Sequence, residues 1–569
     1  MDFTAATADQ VLAIRVNAGI DELANYERFA AATPDMVEAI VEGIGQFAAG
    51  EWAPLNRKGD QEGAVLANGT VSLPDGFAAA YQAYVEQGWN AIAGPVEHGG
   101  QGLPFTLAAN VLENLGSANM AFSLLPMLTV GAIESLHHHG TPAQQALYLP
   151  KLISGEWSGT MNLTEPQAGS DVGALRTTAT PRGDGTWSIK GTKIFITWGE
   201  HDLSGNVIHL VLARTPGAPA GTRGISLFLV PKYLVGADGS LGARNDLRCA
   251  GLEHKLGIMA SPTCVMSFGD NDACIGELVG HENEGIKAMF TMMNSARINV
   301  GNQGVQIAER ALQQARRYAR DRIQSARAGA PGREPVAIVE HPDVRRMLLR
   351  MRALTEGARA LLYYTAGMVD RGALGITGAQ ARADCLVPMI KAWGTDIGCE
   401  VASLGVQIHG GMGFVEETGA AQHYRDARIA PIYEGTNGIQ AADLVTRKLG
   451  YEGGEVLTSL FAEIVTDCGD APVLHALAQD CIEVARWMTA DAGIDDKLAG
   501  SVPFCTMAST AVAGWQLQRQ ARDGAGGEAK TVVARYFNEH LAAEARGQKP
   551  LAMAGADLLY ALNAEALAG

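Results

Sequence analysis

Apolar residues recur every three to four positions through about the first 158 residues, which is the period of a helix with one buried face. The segments MVEAIVEGIGQFAA and FAAAYQAYVEQGW show this spacing clearly. Stretches rich in Gly and Pro, NGTVSLPDG and GPVEHGGQGLP, interrupt the period and predict loops. We therefore predict a helical N-terminal domain over residues 1–158.

The period changes near residue 159, where short apolar runs are bounded by Gly, Pro and Asn. TWSIKGTKIFIT alternates apolar and polar side chains around a predicted Gly-Thr turn, and VIHLVLART and GISLFLVPKYLV are compact apolar runs. Such runs, separated by loops of hairpin or meander length, are typical of strands. We predict a middle β domain over residues 159–282.

Helical spacing returns after residue 283, and apolar residues follow one another at intervals of three and four from Val305 to Ala319. YEGG predicts a boundary near residue 452, and the Ala-rich segment beyond it is helical apart from a loop at DGAGGE. We predict a C-terminal helical domain over residues 283–452 and an additional helical extension over 453–569. The predicted fold class is a multi-domain α+β protein.

The chain has 569 residues and a formal net charge of −17. Its length predicts several domains. Its acidity argues against a nucleic-acid partner, because phosphates need clustered Lys and Arg. A small anionic ligand is still compatible, since it needs only a local basic patch. The eight scattered cysteines include no Cys-x-x-Cys pair, which favours reduced thiols in a cytoplasmic protein over disulfides or zinc.

The N-terminus carries an early acid and no basic segment ahead of an apolar run, so no signal peptide is predicted. No apolar stretch is judged long enough to span a bilayer, and no integral membrane association is predicted. Three consecutive histidines, His137 to His139, would point in different directions on a helix. They are interpreted as a helix end, and no metal site is predicted.

Glu434 lies between Tyr433 and Gly435 in an apolar segment, RIAPIYEGT, that leads to a helix. Burial in such a segment would raise the pKa of the carboxyl group and suit it to act as a base near neutral pH. An acidic residue near a helix N-terminus is an equally valid interpretation, since such acids are common. Composition alone leaves both interpretations open.

Three further segments have ligand chemistry that ordinary packing explains as well. MNLTEPQAGSDVGAL is a loop of small residues whose backbone N–H groups could approach a flat ring or a phosphate. KIFIT ends a strand in an aromatic and a hydroxyl side chain, Phe195 and Thr197. Asn294 and Arg297 share a helix face that could hold an anion. No G-x-G-x-x-G follows a strand, so a Rossmann-type site is not supported.

Five motifs occur in one order between about residues 95 and 450: EHGGQG, LTEPQAGSD, KGTKIFIT, QIHGGMGF and PIYEGT. Together they resemble the acyl-CoA dehydrogenase family, and the chain's size and C-terminal extension are most similar to a long bacterial branch of it. The resemblance implies a helical N-terminal domain, a middle β domain and a helical C-terminal domain, with FAD between the β domain and the helices. It also implies a homodimer or tetramer in which a neighbouring subunit holds part of each FAD.

The resemblance assigns roles to individual positions, and Glu434 corresponds to the catalytic base. The positions that correspond to FAD contacts are Met161, Leu163, Thr164, Gly169, Ser170, Phe195, Ile196, Thr197, Arg322, Gln407, Gly410, Gly411 and Thr436. The positions on the substrate side are Ser170, Asn294, Arg297, Tyr433 and Gly435. The chain departs from the family pattern with Ile-Gln-Ser after Arg322 in place of Phe-Gly, Gly438 in place of glutamine, and Asn294 in place of aspartate.

The resemblance implies FAD-dependent α,β-dehydrogenation of an acyl-CoA to a trans-2-enoyl-CoA, with electrons passed to an electron-transferring flavoprotein. A methylthiopropionyl group, a short or medium straight chain and a branched chain are all compatible acyl groups. The alternatives are an acyl-CoA oxidase that uses oxygen, a non-catalytic flavoprotein of the same fold that binds DNA or a partner, and a helical interaction protein without cofactor. The extension could cover the substrate pocket or build a dimer.

Overall fold

The computed structural model describes residues 3–329 and 331–569, which form two compact units. The first unit contains Gly43–Ala296 together with residues 3 and 4. The second contains Ala5–Glu42 and Arg297–Gly569. The chain has the predicted order of a helical part, a β part, a second helical part and a helical extension.

The helices of the N-terminal part are α1 (Thr7–Ala13), α2 (Ile20–Leu23), α3 (Pro34–Phe47), α4 (Ala53–Glu62), α5 (Phe77–Glu86), α6 (Phe105–Ala118), α7 (Met120–His139) and α8 (Pro142–Ser154). After the β part come α9 (Gly285–Asp321), α10 (Pro342–Ala373), α11 (Ala379–His409), α12 (Gly411–Phe414), α13 (Ala420–Ala427) and α14 (Asn437–Thr446). The extension contains α15 (Glu455–Asp467), α16 (Pro472–Ala490), α17 (Ile494–Ala499), α18 (Ser501–Asp523), α19 (Gly527–Tyr536), α20 (Ala542–Arg546), α21 (Lys549–Ala552) and α22 (Ala564–Ala568).

The strands are β1 (Val65–Ala67), β2 (Thr70–Ser72), β3 (Trp157–Asn162), β4 (Thr178–Pro181), β5 (Trp187–Thr197), β6 (Asn206–Ala213), β7 (Ser226–Pro231), β8 (Tyr233–Val235), β9 (Leu241–Arg244), β10 (Leu247–Leu252), β11 (Thr263–Phe268) and β12 (Ile275–Val279). The main sheet has eight strands in the order β10-β11-β5-β12-β7-β6-β3, with β4 added beside β5. Only the β3–β6 pair among these described strands is parallel, and the others are antiparallel.

The predicted Gly-Thr turn at residues 191–192 is wrong, because β5 runs through it as one strand from Trp187 to Thr197. Gly191 serves a close approach instead: a Cβ atom there would lie 2.3 Å from Oγ1 of Thr177. A missing side chain can mark crowding within a strand as well as a turn.

The segment NGTVS was predicted as part of a loop, but it belongs to a small hairpin of β1 and β2. Asn68 and Gly69 have φ angles of 52° and 78°, as the two central residues of a type I′ turn require. Val71 on β2 is fully buried in the apolar core of the sheet, next to Ile189, Phe228 and Met266. The burial of Val71 therefore anchors the short hairpin to the core of the sheet.

Helix α7 lies against β3 in the first unit, and a Cβ on Gly159 would come within 2.4 Å of the Cβ of Ala132. Because β3 is buried along its whole length, it carries no alternating pattern. Helix α7 is the one helix among the described residues that is long and apolar enough to cross a membrane, which corrects the expectation that no stretch would qualify. Within the protein, 83% of its apolar window is buried.

In the second unit, α9 and α11 cross at glycines. A Cβ on Gly304 would lie 1.9 Å from the carbonyl oxygen of Gly394, and one on Gly301 would lie 2.7 Å from that of Ile390. The backbones can approach this closely only because side chains are absent at the crossing. The crossing therefore fixes where α11 lies against the segment of α9 that belongs to the second unit.

The extension packs on the same unit, with α18 against α10, α11 and α14. A buried ionic cluster joins it to α10 and α1. Nζ of Lys530 on α19 lies 2.5 Å from Oε2 of Glu356 and 2.9 Å from Oδ1 of Asp9, and Arg352 also contacts Glu356. The side chains of Lys530 and Glu356 are 3% and 4% exposed. Their charges are therefore compensated by one another and not by water.

We expect Lys530→Met to lower the free energy of unfolding by about 3 kcal/mol, the lower end of the cost of breaking a buried pair, because Arg352 still contacts Glu356. Arg535→Ala is the control, since its pair with Glu539 is exposed and is worth at most about 1 kcal/mol. Urea unfolding midpoints measure both changes. Equal midpoints for the two variants would contradict the structural role of the cluster.

Candidate active site

Glu434 lies at the apex of a short loop that precedes α14 in the second unit. The backbone N–H of Asn437 donates to the carbonyl oxygen of Pro431 at 3.0 Å, which closes the loop. Thr436 caps α14, because its Oγ1 accepts from the N–H of Ile439 at 3.3 Å. Glu434 itself has a φ of 54°, a left-handed conformation that costs energy in a residue with a side chain. Such strain persists only where neighbouring contacts enforce it.

Two contacts hold the loop on either side of Glu434. The hydroxyl of Tyr433 donates a hydrogen bond to Oε1 of Gln303 on α9. The side chain of Asn437 bonds to α11, where Lys391 and Thr395 provide partners. The residue at the apex is therefore fixed from two helices of the same unit.

Burial raises the pKa of Glu434 above its ordinary value, and the positive charges of Arg297 and Lys391 oppose that shift. The predicted direction of the shift is confirmed. A carboxylate whose pKa is raised is a stronger base than an ordinary glutamate, and the nearby cations favour its ionised form. This is the behaviour that a general base requires.

The other predicted substrate-side residues in this unit lie next to Glu434 in sequence or in space. Tyr433 and Gly435 flank it, and Gly435 has a φ of 84°. Arg297 is buried on α9, and the carboxylate of Glu434 is among the charges that act on it. Asn294, one turn earlier on the same helix, is exposed in the first unit.

The loop predicted to contact flavin follows β3 in the first unit. Met161 is on the strand, and Leu163 and Thr164 follow it as partly buried residues. The carbonyl oxygen of Thr164 accepts from the N–H of Ile194 at 2.9 Å, which places the loop beside the end of β5. Gly169 and Ser170 are exposed at the far end of the loop.

A buried ion pair, which no local sequence pattern predicts, anchors this loop. Nζ of Lys193 on β5 lies 2.8 Å from Oε1 of Glu165 and donates to the carbonyl oxygen of Leu163 at 3.0 Å. Glu165 also accepts from the N–H groups of Arg176 and Thr177. Burial works to raise the pKa of Glu165, but Lys193 and these hydrogen bonds bring it to about 2. Glu165 belongs to the motif LTEPQAGSD and Lys193 to KGTKIFIT, but only the tertiary fold brings the two side chains together.

Phe195, Ile196 and Thr197 form the end of β5, as predicted. The register against β11 shifts between Cys264 and Met266, so the strand bulges opposite that point. Phe195 lies in the bulge with a φ of 59°, and its side chain is 57% exposed while Ile196 is buried. A bulge redirects a side chain out of the alternation of a strand. Because the side chain of Phe195 is exposed, packing in the core of this unit does not explain an aromatic residue at this position.

The remaining predicted cofactor residues belong to the second unit and are exposed. Arg322 directly follows α9, and its carbonyl oxygen accepts from the N–H of Ile338 at 2.8 Å. Gln407 lies in the last turn of α11, and Gly410, with a φ of 59°, ends that helix. A Cβ on Gly410 or Gly411 would meet no atom within 4 Å. The backbone here is open to a ligand.

The three histidines end α7, as predicted, and they point in different directions. Nε2 of His139 lies 2.8 Å from Oγ1 of Thr291, whereas Nδ1 of His137 lies 4.0 Å from Oε1 of Glu97. His137, His98 and Glu97 form a group of possible metal ligands, and their ligand atoms lie within 4.8 Å of one another.

The predicted positions fit FAD in chemistry. They offer an exposed aromatic side chain on a strained strand end, hydroxyl groups on Thr164, Ser170 and Thr197, and glycine backbones with open space beside Gly169 and Gly410. Flat rings stack on aromatic side chains, and phosphates accept hydrogen bonds from backbone N–H groups and arginine. The donor set therefore contains a partner for each part of the cofactor.

The comparisons with known proteins identify the class. The sequence profiles of the N-terminal, middle and C-terminal domains of acyl-CoA dehydrogenases match residues 34–156, 160–271 and 283–449. The chain therefore belongs to the acyl-CoA dehydrogenase family, whose members are FAD-dependent oxidoreductases.

Individual relatives narrow the comparison. The chain is 49% identical to 3-methylmercaptopropionyl-CoA dehydrogenase of Ruegeria pomeroyi over 567 residues, which cover 96% of each chain. Among solved structures, butyryl-CoA dehydrogenase from Megasphaera elsdenii is 26% identical with a TM-score of 0.60, covering 72% of this chain and 97% of that one. An acyl-CoA dehydrogenase from Bacillus anthracis, solved with FAD, shares the fold at 23% identity and a TM-score of 0.76, covering 94% and 90%.

We expect Glu165→Gln to lower the free energy of unfolding by about 3–5 kcal/mol, because it leaves Lys193 buried without its ionic partner. Urea midpoints at pH 7 measure the loss. The carboxylate's contribution is present above about pH 4.5 and is lost as the pH falls towards 2, since its pKa is depressed in the folded state. The double variant Glu165→Gln, Lys193→Met should recover most of the stability, because the side-chain oxygen at position 165 can still accept from the N–H groups of Arg176 and Thr177. Additive losses in the double variant would contradict the pairing.

Proposed function

We propose that Glu434 is the base that removes the α-proton of an acyl-CoA thioester. One observation carries this assignment: a partly buried carboxyl group, with its pKa raised by burial, is held in a strained conformation at the apex of a loop fixed from two helices. Strained, anchored residues with shifted pKa values are concentrated at functional sites. The family membership of the chain supports the same assignment.

Other residues have the remaining roles in the proposed reaction. The backbone N–H of Glu434 donates to the thioester oxygen, which stabilises the negative charge that develops as the proton leaves; one such donor is worth about 3–4 kcal/mol. Tyr433 and Gly435 shape the walls next to the reacting carbon. Arg297 and Lys391 keep the base ionised when the site is closed to water. Ser170 and Asn294 contact the CoA portion of the substrate.

FAD supplies the acceptor for the hydride that leaves the β-carbon. The protein residues proposed to hold it are those of the loop after β3, the end of β5, and Thr436, with Gln407, Gly410 and Gly411 at the adenosine end. Arg322 of a neighbouring subunit reaches the pyrophosphate. Bound in this way, the cofactor and the acyl chain are oriented by the protein before the proton transfer.

We further propose the substrate, the electron acceptor and the assembly of the enzyme. Its substrate is a short acyl-CoA, with 3-methylmercaptopropionyl-CoA (3-methylthiopropionyl-CoA) as the first choice, on the 49% identity to the Ruegeria pomeroyi enzyme. An electron-transferring flavoprotein takes the electrons. The enzyme is a cytoplasmic homodimer or tetramer, and its domains are residues 1–158, 159–282, 283–452 and 453–569.

We expect Glu434→Gln to keep bound FAD and the folded state but to lose turnover by a factor of about 10²–10⁴ or more, the usual contribution of a positioned base. Glu417→Gln, at an exposed position, is the matched control and should behave as the wild type. Steady-state assays with an artificial electron acceptor measure both. Wild-type turnover in Glu434→Gln would refute the assignment of the base.

The substrate class is tested by anaerobic titration of the holoenzyme with a panel of acyl-CoA thioesters. We expect the visible flavin spectrum to bleach, most completely with 3-methylmercaptopropionyl-CoA. Hydrogen peroxide formed under air at the turnover rate would instead favour an oxidase. A flavin spectrum that none of the thioesters bleaches would contradict the proposed dehydrogenation.

A further inference from the structure

Asn437, the first residue of α14, makes an unusually complete set of contacts with one helix. Its Oδ1 accepts from Nζ of Lys391 at 3.0 Å and from Oγ1 of Thr395 at 3.2 Å. Its Nδ2 donates to the carbonyl oxygen of Ala392 at 2.9 Å and to Oδ1 of Asp396 at 2.8 Å. Four residues within two turns of α11 therefore bind a single amide.

The same residue closes the loop that carries Glu434. Its backbone N–H bonds to the carbonyl oxygen of Pro431, so the side chain of Asn437 ties both ends of that loop to α11. The loop contains two left-handed residues in succession, Glu434 and Gly435. A strained loop of this kind returns to other conformations unless its ends are fixed.

Lys391 is the cation of this contact. Its side chain is fully buried on α11, and an unpaired buried ammonium group would be costly. Its ammonium group donates a hydrogen bond to Oδ1 of Asn437, and the carboxylates whose charges act on it are Glu434 and Asp396. Burial lowers the pKa of Lys391 to about 8, so the group is charged at neutral pH.

We propose that Lys391 and Asn437 form a clamp that positions Glu434 for proton abstraction and keeps a positive charge beside its carboxylate. Lys391 and Asn437 are positioning residues in this proposal, which rests on Glu434 being the base. Position 438 is glycine, so no side chain there can take over the role of the clamp.

Several charges act around Glu434, and they determine which pH shift tests the clamp. Arg297 belongs to α9, Lys391 and Asp396 to α11, and Asp443 to α14, which Arg447 directly follows, while Tyr433 is the adjacent residue on the loop itself. Of these, Arg297 and Lys391 act to lower the pKa of Glu434. Loss of Lys391 must therefore raise that pKa, and the acid limb of kcat/KM moves to higher pH.

The experiment compares Lys391→Met, Lys391→Arg and Asn437→Ala in the FAD-loaded enzyme, with Lys497→Met in α17 as the control. Steady-state rates with 3-methylmercaptopropionyl-CoA are measured from pH 5 to 9. We expect Lys391→Met to shift the acid limb upwards by about one pH unit, the usual effect of losing a nearby opposite charge. Lys391→Arg should restore most of the wild-type profile, and the control should match the wild type.

Hydrogen exchange provides the second readout, which does not depend on turnover. Amides of residues 432–439 should exchange faster in Asn437→Ala and in Lys391→Met than in the wild type, by about tenfold or more, while peptides from α16 stay unchanged. An unmoved acid limb in Lys391→Met, or wild-type exchange in Asn437→Ala, overturns the clamp. If Lys391→Met does not fold, Asn437→Ala still carries the exchange measurement that can overturn the clamp.

Failure of the clamp and failure of the proposed base give different results. If Glu434→Gln keeps wild-type turnover, the base assignment fails, and with it the proposal that the clamp serves proton abstraction. If Glu434→Gln is inactive but the clamp variants have wild-type profiles and exchange, the base stands and the clamp alone is refuted.

Discussion

Helices α9 and α11 approach each other through glycines, and the arrangement around Glu434 depends on that contact. Any side chain at Gly304 would overlap the backbone of α11 at Gly394. Because the helices are so close, Gln303 from α9 and Lys391 from α11 reach the same short loop. The loop is thereby fixed on two sides, and its carboxylate is held among charges that a more distant pair of helices could not supply.

Two of the non-glycine residues with a left-handed backbone conformation are predicted catalytic or cofactor positions. Glu434 and Phe195 have φ angles of 54° and 59°. Each is held by contacts that have no part in the chemistry: hydrogen bonds from two helices in one case, a bulged strand pairing in the other. Strain of this kind is maintained by the surrounding fold, so changes in those supporting residues affect function without touching a ligand.

The C-terminal extension contains no recognisable motif, but it supports the helices of the second unit. Helix α18 lies on α10, α11 and α14, and Lys530 ties α19 to α10 and α1 through buried charges. The extension therefore supports the helices from which Lys391 and Asn437 project. Its role as a support for these helices follows from this packing.

The amino-acid sequence by itself determined the class of fold and the identity of the family, because helical and strand periods and five ordered motifs are local properties of the chain. It also indicated Glu434 and the direction of its pKa shift, since an apolar segment implies burial. Tertiary structure alone decided the partners. Lys193 meets Glu165 across 28 positions and Lys391 meets Asn437 across 46, and no local period encodes such pairs. The same reason explains the error at Gly191, where the close approach of Thr177 accounts for the glycine. The β1–β2 hairpin does have a local signal, because Asn68-Gly69 is a typical type I′ turn pair.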